Sequence, residues 1–236
     1  LAEVVALVRA ADEDLPMTID TTGKSKLIAV HASPDAPAVD LFRKNGAMLL
    51  SGLAYQKASV EVELPGGVYD VDVKPAGLPT AIVSTQLRLL PSTNWTIYAT
   101  GLVNTGGAAE KAVKFLAVRR AEKGDATQLR IVHTSPGTAP LDVKAGTQSL
   151  ASKLAYPWAS AYVSGELKGN LLKFVTTVDP KKAWDVTVPQ ALLTGGDVLS
   201  LFATGIPGDA MKPFSVFAVV ESKAAAMTPA RASASR

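Results

Sequence analysis

Two histidines are all this 236-residue chain has, and both sit in the same short motif. His31-Ala32-Ser33-Pro34 with Asp40 returns as His133-Thr134-Ser135-Pro136 with Asp142, 102 residues later. Histidine, serine and aspartate are the residue types of a nucleophilic triad. A triad needs an exposed nucleophile, a base and an orienter that converge in space. Here the serine follows the histidine by two positions at a strand end, and no G-x-S-x-G elbow surrounds it. The spacing therefore predicts no catalytic residues. His31 with Asp35 or Asp40, or His133 with Asp142, is a start on a metal site. One histidine per copy falls short of the four ligands zinc usually takes, and the chain has no cysteine to add. No metal and no other cofactor is expected.

The motif reads instead as a rigid corner. A strand over Leu27 to Val30 runs into His31. Pro34 and Pro37 fix φ and remove donors, which stops a ladder and bends the chain. Ser33 and Asp35 suit local bonds to backbone N–H groups. Val39 and Leu41 begin the next strand. His31 can bridge through its two ring nitrogens, with Asp40 as the expected partner. His31, Ser33, Pro34 and Asp40, and again His133, Ser135, Pro136 and Asp142, are thus expected to be structural. Each histidine should be buried or half-buried and bonded within its own domain.

Further landmarks recur in the same order. Leu53-Ala54-Tyr55 returns as Leu154-Ala155-Tyr156, Ala58-Ser59 as Ala159-Ser160, and Ala99-Thr100-Gly101 as Ala203-Thr204-Gly205. Leu116-Ala117-Val118 answers to Phe217-Ala218-Val219. Offsets of 101 to 104 indicate a tandem duplication with small loop changes. Within each copy the hydrophobic period is 2. Val60, Val62 and Leu64 alternate with Glu61 and Glu63. Tyr69, Val71 and Val73 alternate with Asp70 and Asp72. Trp95, Ile97 and Ala99 alternate with Thr96, Tyr98 and Thr100. Such alternation predicts half-buried strands with one wet face. In the second copy Val198, Ser200 and Phe202 lie opposite Leu199, Leu201 and Ala203. Strands apolar on both faces should pack against the first domain or a partner. Turn signals at Pro65-Gly66-Gly67, Pro75-Ala76-Gly77 and Pro91-Ser92 separate the strands.

The predicted fold is all-β: two tandem immunoglobulin-like antiparallel β-sandwich domains with a short N-terminal appendage. The boundaries are an appendage at 1–24, a first repeat at 25–121, a second at 126–222 and a flexible tail at 223–236. Leu1, Val4, Val5 and Val8 follow helical spacing, so the appendage should pack on the first domain or dock on a partner chain.

Formal net charge is +3, and Glu221, Lys223, Arg231 and Arg236 together supply two of those charges. Nucleic-acid binding needs a concentrated basic face, and the sequence shows none. The longest apolar stretch near the start is far short of the ~20 residues that span a bilayer. A chain that starts at Leu1 rather than Met fits either removal of a leader or an artificially trimmed end; on the first of these, export is expected. Among the aromatics, Trp95 lies on the apolar register of its strand. Tyr156-Pro157-Trp158 cannot all point inward, which makes Tyr156 and Trp158 a candidate docking patch.

The stretch from Ile28 to Leu41, IAVHASPDAPAVDL, resembles the signature of the domain-of-unknown-function 4397 family, whose typical form reads V-H-A-S-P-D-A-P-x-V-D. Leu64-Pro65-Gly66-Gly67-Val68-Tyr69 resembles that family's L-P-A-G-x-Y turn, and Tyr98-Ala99-Thr100-Gly101 extends the likeness. The second repeat resembles it less closely, because Gly137-Thr138-Ala139-Pro140 replaces Asp-Ala-Pro-Ala. The resemblance implies a secreted or envelope β-sandwich module, often in tandem, and carries no activity. The expected role is a non-enzymatic structural or assembly module of the cell envelope or extracellular space. Its expected partner is another protein or a second copy. A glycan-binding module that uses the aromatic patch is the alternative.

Overall fold

The computed structural model describes residues 23–165, 167, 169–193 and 196–222. The proposed appendage, but for Gly23 and Lys24, and the whole of the proposed tail at 223–236 lie outside the described residues. No helix among the described residues is long and apolar enough to cross a membrane.

The described residues form two sandwich units of eight strands each. Unit one holds β1 (Lys24–His31), β2 (Val39–Arg43), β3 (Met48–Leu53) and β4 (Val62–Pro65). It continues with β5 (Gly67–Pro75), β6 (Val83–Leu89), β7 (Asn94–Thr100) and β8 (Lys114–Arg119). Unit two holds β9 (Gln128–His133), β10 (Leu141–Ala145), β11 (Gln148–Leu154) and β12 (Val163–Ser164). It ends with β13 (Leu171–Thr176), β14 (Ala183–Thr187), β15 (Val198–Thr204) and β16 (Ser215–Ser222). The four sheets run β3-β2-β5-β6 and β4-β1-β7-β8, then β11-β10-β13-β14 and β12-β9-β15-β16. The strand order of the second pair repeats that of the first, element for element.

Two pairings differ from the antiparallel expectation. β1 runs parallel to β7, and β9 runs parallel to β15. The parallel register sets His31 opposite Ala99 and His133 opposite Ala203. That juxtaposes the histidine motif and the Ala-Thr-Gly landmark of each copy.

Each unit has its own core. In unit one, Leu27, Ala29, Leu41, Val71, Val73, Leu87, Trp95 and Ile97 are buried between the two sheets. In unit two, Leu129, Ile131, Leu141, Val143, Leu172, Phe174, Leu199 and Leu201 do the same. The alternation of β5 holds, with Val71 and Val73 inside. Val60 is 83% exposed, because the chain enters β4 only at Val62.

The expected wet face of β7 does not exist. Thr96, Tyr98 and Thr100 are as buried as Trp95, Ile97 and Ala99, and all seven residues of β15 are buried. A third apolar cluster explains this. It joins Ile28, Val30, Tyr98, Leu116 and Val118 of unit one to Val132, Ala159, Phe202 and Val219 of unit two. The inner sheets of the two sandwiches therefore pack face to face, and the molecule is four sheets deep. Periodicity reports that a strand has two faces; it does not report what covers the second.

The same packing makes a prediction. Phe202 is fully buried and sits edge to face on Tyr98, with ring centroids 5.7 Å apart. Phe202→Ala should cost about 3–5 kcal/mol, the range for a large aromatic lost from a core. Because the residue couples the units, the loss should also part their transitions. The check is urea unfolding followed by near-UV signal and tryptophan fluorescence. The parent should give one transition, and the variant two, with Trp95 reporting unit one.

Candidate functional site

The residues singled out by sequence meet at two equivalent corners, one per unit. At the first, His31 is fully buried. Its Nε2 lies 2.9 Å from the Pro37 carbonyl, and its Nδ1 accepts the Ser33 backbone N–H at 3.3 Å. These partners fix the tautomer. Nε2 must carry the proton to donate to a carbonyl, and Nδ1 must be bare to accept an N–H. At the second corner His133 does the same, with Nε2 facing the Ala139 carbonyl at 3.3 Å and Nδ1 accepting the Ser135 N–H at 3.3 Å.

The serines do not address the histidine rings with their hydroxyls. Ser33 Oγ donates to the Gly101 carbonyl at 2.7 Å, and Ser135 Oγ to the Gly205 carbonyl at 2.7 Å. Both serines are buried. A hydroxyl spent on a carbonyl, beside a ring nitrogen spent on an amide, is a brace between strands. The two glycines are needed there. Their φ angles are 102° and 94°. A Cβ would stand 2.3 Å from the Ala112 oxygen at Gly101, and 2.1 Å from the Pro213 oxygen at Gly205. This is why Ala-Thr-Gly recurs.

Asp40 does not pair with His31, contrary to expectation. Its two carboxylate oxygens accept the N–H groups of Gly52 at 2.7 Å and Gly77 at 3.2 Å. The Pro34–Pro37 corner carries the chain from the inner sheet to the outer one, which sets the two residues on different layers. Asp142 likewise accepts the Lys153 N–H at 2.7 Å. Gly52 and Lys153 are equivalent and both left-handed, with φ of 64° and 48°. The aspartate thus steadies an irregular step between the second and third strands. Asp35 is spent too, on the N–H groups of Val103 and Asn104 at 2.8 and 2.9 Å.

Sequence reasoning assigned no role to Ser59, Ser160 or Tyr55. Ser59 and Ser160 accept the N–H groups of Ala29 and Ile131 at 2.9 and 3.0 Å, where the ladder beside β1 and β9 lapses. Tyr55 packs edge-on to His31, and Tyr156 edge-on to His133, at 6.1 and 6.0 Å. Each tyrosine also lies under a lysine of the other unit: Lys212 over Tyr55 and Lys114 over Tyr156. The fixed offset of these residues was the signal that tied them to the histidines.

Tyr156 and Trp158 do not form one exposed platform. The Tyr156 hydroxyl is buried beside Thr100 without a well-formed hydrogen bond, and its ring belongs to the unit interface. Trp158 is 37% exposed and borders a groove of about 660 Å³ with Leu150, Lys153, Leu154 and Ser160. The two side chains leave one tight turn on different sides.

A second polar constellation lies at the far end of the interface. Arg130 and Glu221, both buried, pair at 2.6 Å. Glu221 also accepts the hydroxyls of Thr96 and Tyr162. Arg130 donates to Ser200 at 2.6 Å and to the Arg119 carbonyl at 2.8 Å. Arg120 donates to the Glu221 carbonyl at 2.6 Å and pairs with Glu61 at 2.8 Å. Nothing in the sequence pattern pointed to this cluster.

Residues 25–123 match the family model described as "Domain of unknown function (DUF4397)". That span covers unit one and the start of the link to unit two. No curated protein matches the chain.

The fixed tautomers predict a pH dependence. Burial pushes the His133 imidazolium down to about 4 from its usual 6.5. It also lowers His31, with Lys212 adding to the effect, against the opposing pull of the Pro37 carbonyl. Protonating Nδ1 would set one donor against another. The unfolded chain therefore binds protons that the folded chain refuses. The stability held by the neutral rings is full above pH 6.5 and falls as pH drops below it; for His133 the loss runs from 6.5 down to about 4 and is worth about 3 kcal/mol at 1.36 kcal/mol per pH unit. Urea midpoints measured across this range should drop as pH falls, and His133→Ala should flatten the slope while lowering stability at pH 7.

Proposed function

We propose that this chain is a non-enzymatic structural or assembly module of the cell envelope or extracellular space. One observation carries the reading. The side chains with chemical capability, His31, Ser33, Asp40 and their counterparts, are spent internally on backbone groups. What the molecule offers outward is a rigid four-layer body with its loops and sheet edges in fixed relation. Two further points support it. Residues 126–222 read as a second copy of the same family domain, since the landmarks recur at constant offset and the strand order repeats. Edge strands left open in such a body suit pairing with another protein.

The expected outcome is that antibodies against the protein find it in the envelope or culture medium of its native source, in a complex larger than the 24.5 kDa chain. A cytoplasmic monomer would overturn the assignment. Any hydrolytic activity in a preparation should survive Ser33→Ala and Ser135→Ala.

A glycan-binding role has one observation in its favour. Trp158 stands at the mouth of the groove beside Ser149, Ser152 and Lys153, an aromatic face with polar neighbours. The equivalent position in unit one is Lys57, so this feature is private to unit two. Polysaccharide titration followed by tryptophan fluorescence should give a saturable change that Trp158→Ala abolishes. No change across a polysaccharide panel would remove this reading.

A further inference from the structure

The two units meet through faces that hold the same place in each. Tyr98 and Phe202 are equivalent residues, and they pack on one another. Around them the contacts come in reciprocal pairs. Thr100 Oγ1 donates to the Thr134 carbonyl at 2.9 Å. Its counterpart Thr204 Oγ1 donates to the carbonyl of Ala32, the counterpart of Thr134, also at 2.9 Å. The Tyr55 hydroxyl reaches Thr204 at 3.4 Å, and the Tyr156 hydroxyl is buried beside Thr100. Where residue i meets j, the counterpart of j meets the counterpart of i. That reciprocity defines an isologous, two-fold interface. Here it is closed within one chain.

The positions where the two faces differ decide which pairs can form. Arg120 and Glu221 are equivalent, at the same offset as Val118 and Val219. They touch across the pseudo-dyad through the Arg120 Nη1 bond to the Glu221 carbonyl. Arg130 replaces Ile28. Two copies of unit one would bring Arg120 against Arg120 with no Glu221 or Arg130 present. Two copies of unit two would bury Glu221 against Glu221. Thr96 would then be replaced by its counterpart Ser200, which Arg130 already engages at 2.6 Å. Each charge keeps a partner within its own unit, Arg120 with Glu61 and Glu221 with Arg130, but a like pairing sets two charges of one sign against each other across the dyad, so both like pairings are disfavoured and the unlike pairing is selected.

We propose that this face is a recognition surface for a second copy of the chain: unit one of one copy accepts unit two of another, in reciprocal exchange about residues 121–126. Arg120 opposite Glu221 restricts the exchange to unlike units. Glu122 to Ala126 are exposed, and Gln128 Nε2 donates to the Glu122 carbonyl at 2.6 Å. Opening the link therefore sacrifices little. The contacts re-formed between chains are those lost within one, so concentration sets the balance. The inference stands apart from export and from any other partner.

The test uses full-length chain with a specific protease site between Lys123 and Gly124. Isotopically heavy and light copies are unfolded together and refolded at low and at high concentration, then read by native mass spectrometry. The expected result is monomer at low concentration and a species of twice the chain mass at high concentration. Cleaving that species in the linker should release particles of single-chain mass, some pairing heavy unit one with light unit two. No particle should hold two unit ones. Arg120→Leu removes the like-charge conflict at nearly constant volume, and pairs of heavy with light unit one should then appear. Monomer at every concentration would overturn the exchange. So would a dimer whose cleavage leaves every unit paired with its own chain's partner. Like-unit pairs in the parent, or none in Arg120→Leu, would overturn the role given to Arg120.

Discussion

A strand in the middle of a sandwich sheet has two faces, and in this protein both are made of groups that must leave water. β7 and β15 carry core residues on one side and Thr96, Tyr98, Thr100, Ser200 and Phe202 on the other. The second side can be buried only against its own counterpart. That requirement makes two sandwiches into one body, and the remaining features follow from it. The polar members of the face must find partners across it, because a buried hydroxyl left alone costs about 1–3 kcal/mol. Thr100 and its counterpart Thr204 meet this by donating to backbone carbonyls of the opposite unit.

The histidine corners serve the same end at closer range. A chain that leaves the inner sheet for the outer one exposes backbone groups at the bend. His31 and His133 satisfy them from inside, one nitrogen donating and one accepting. A neutral imidazole is well suited because it offers both roles in one rigid ring. The tyrosine beside each ring then reaches to the other unit. The corner is therefore a link between the packing inside a unit and the packing between units.

Where the copies diverge, they diverge at positions with consequences. Ile28 and Arg120 of unit one answer to Arg130 and Glu221 of unit two, and these form the charged end of the interface. Lys57 answers to Trp158 at the open groove. Asp35, which holds the loop at Val103 and Asn104, answers to Gly137. The repeated residues maintain the frame, and the differing ones distinguish a unit's pairing and its outer surface.

The amino-acid sequence by itself determined the duplication, the all-β class and the residues of the corner. These rest on local facts: a fixed offset, a period of 2, and prolines that forbid a ladder. It also marked Tyr55, Ser59 and Gly101 as members of the repeated set without saying why. Tertiary structure decided three things that no local pattern carries. It separated His31 from Asp40 by placing them on different sheets. It paired β1 with β7 in parallel, which joined motifs nearly 70 residues apart. It turned Tyr156 inward and left Trp158 outside. The buried Arg130–Glu221 cluster was illegible for the same reason. A charge on a strand reads as a wet face until something covers it, and what covers this one is the other half of the chain.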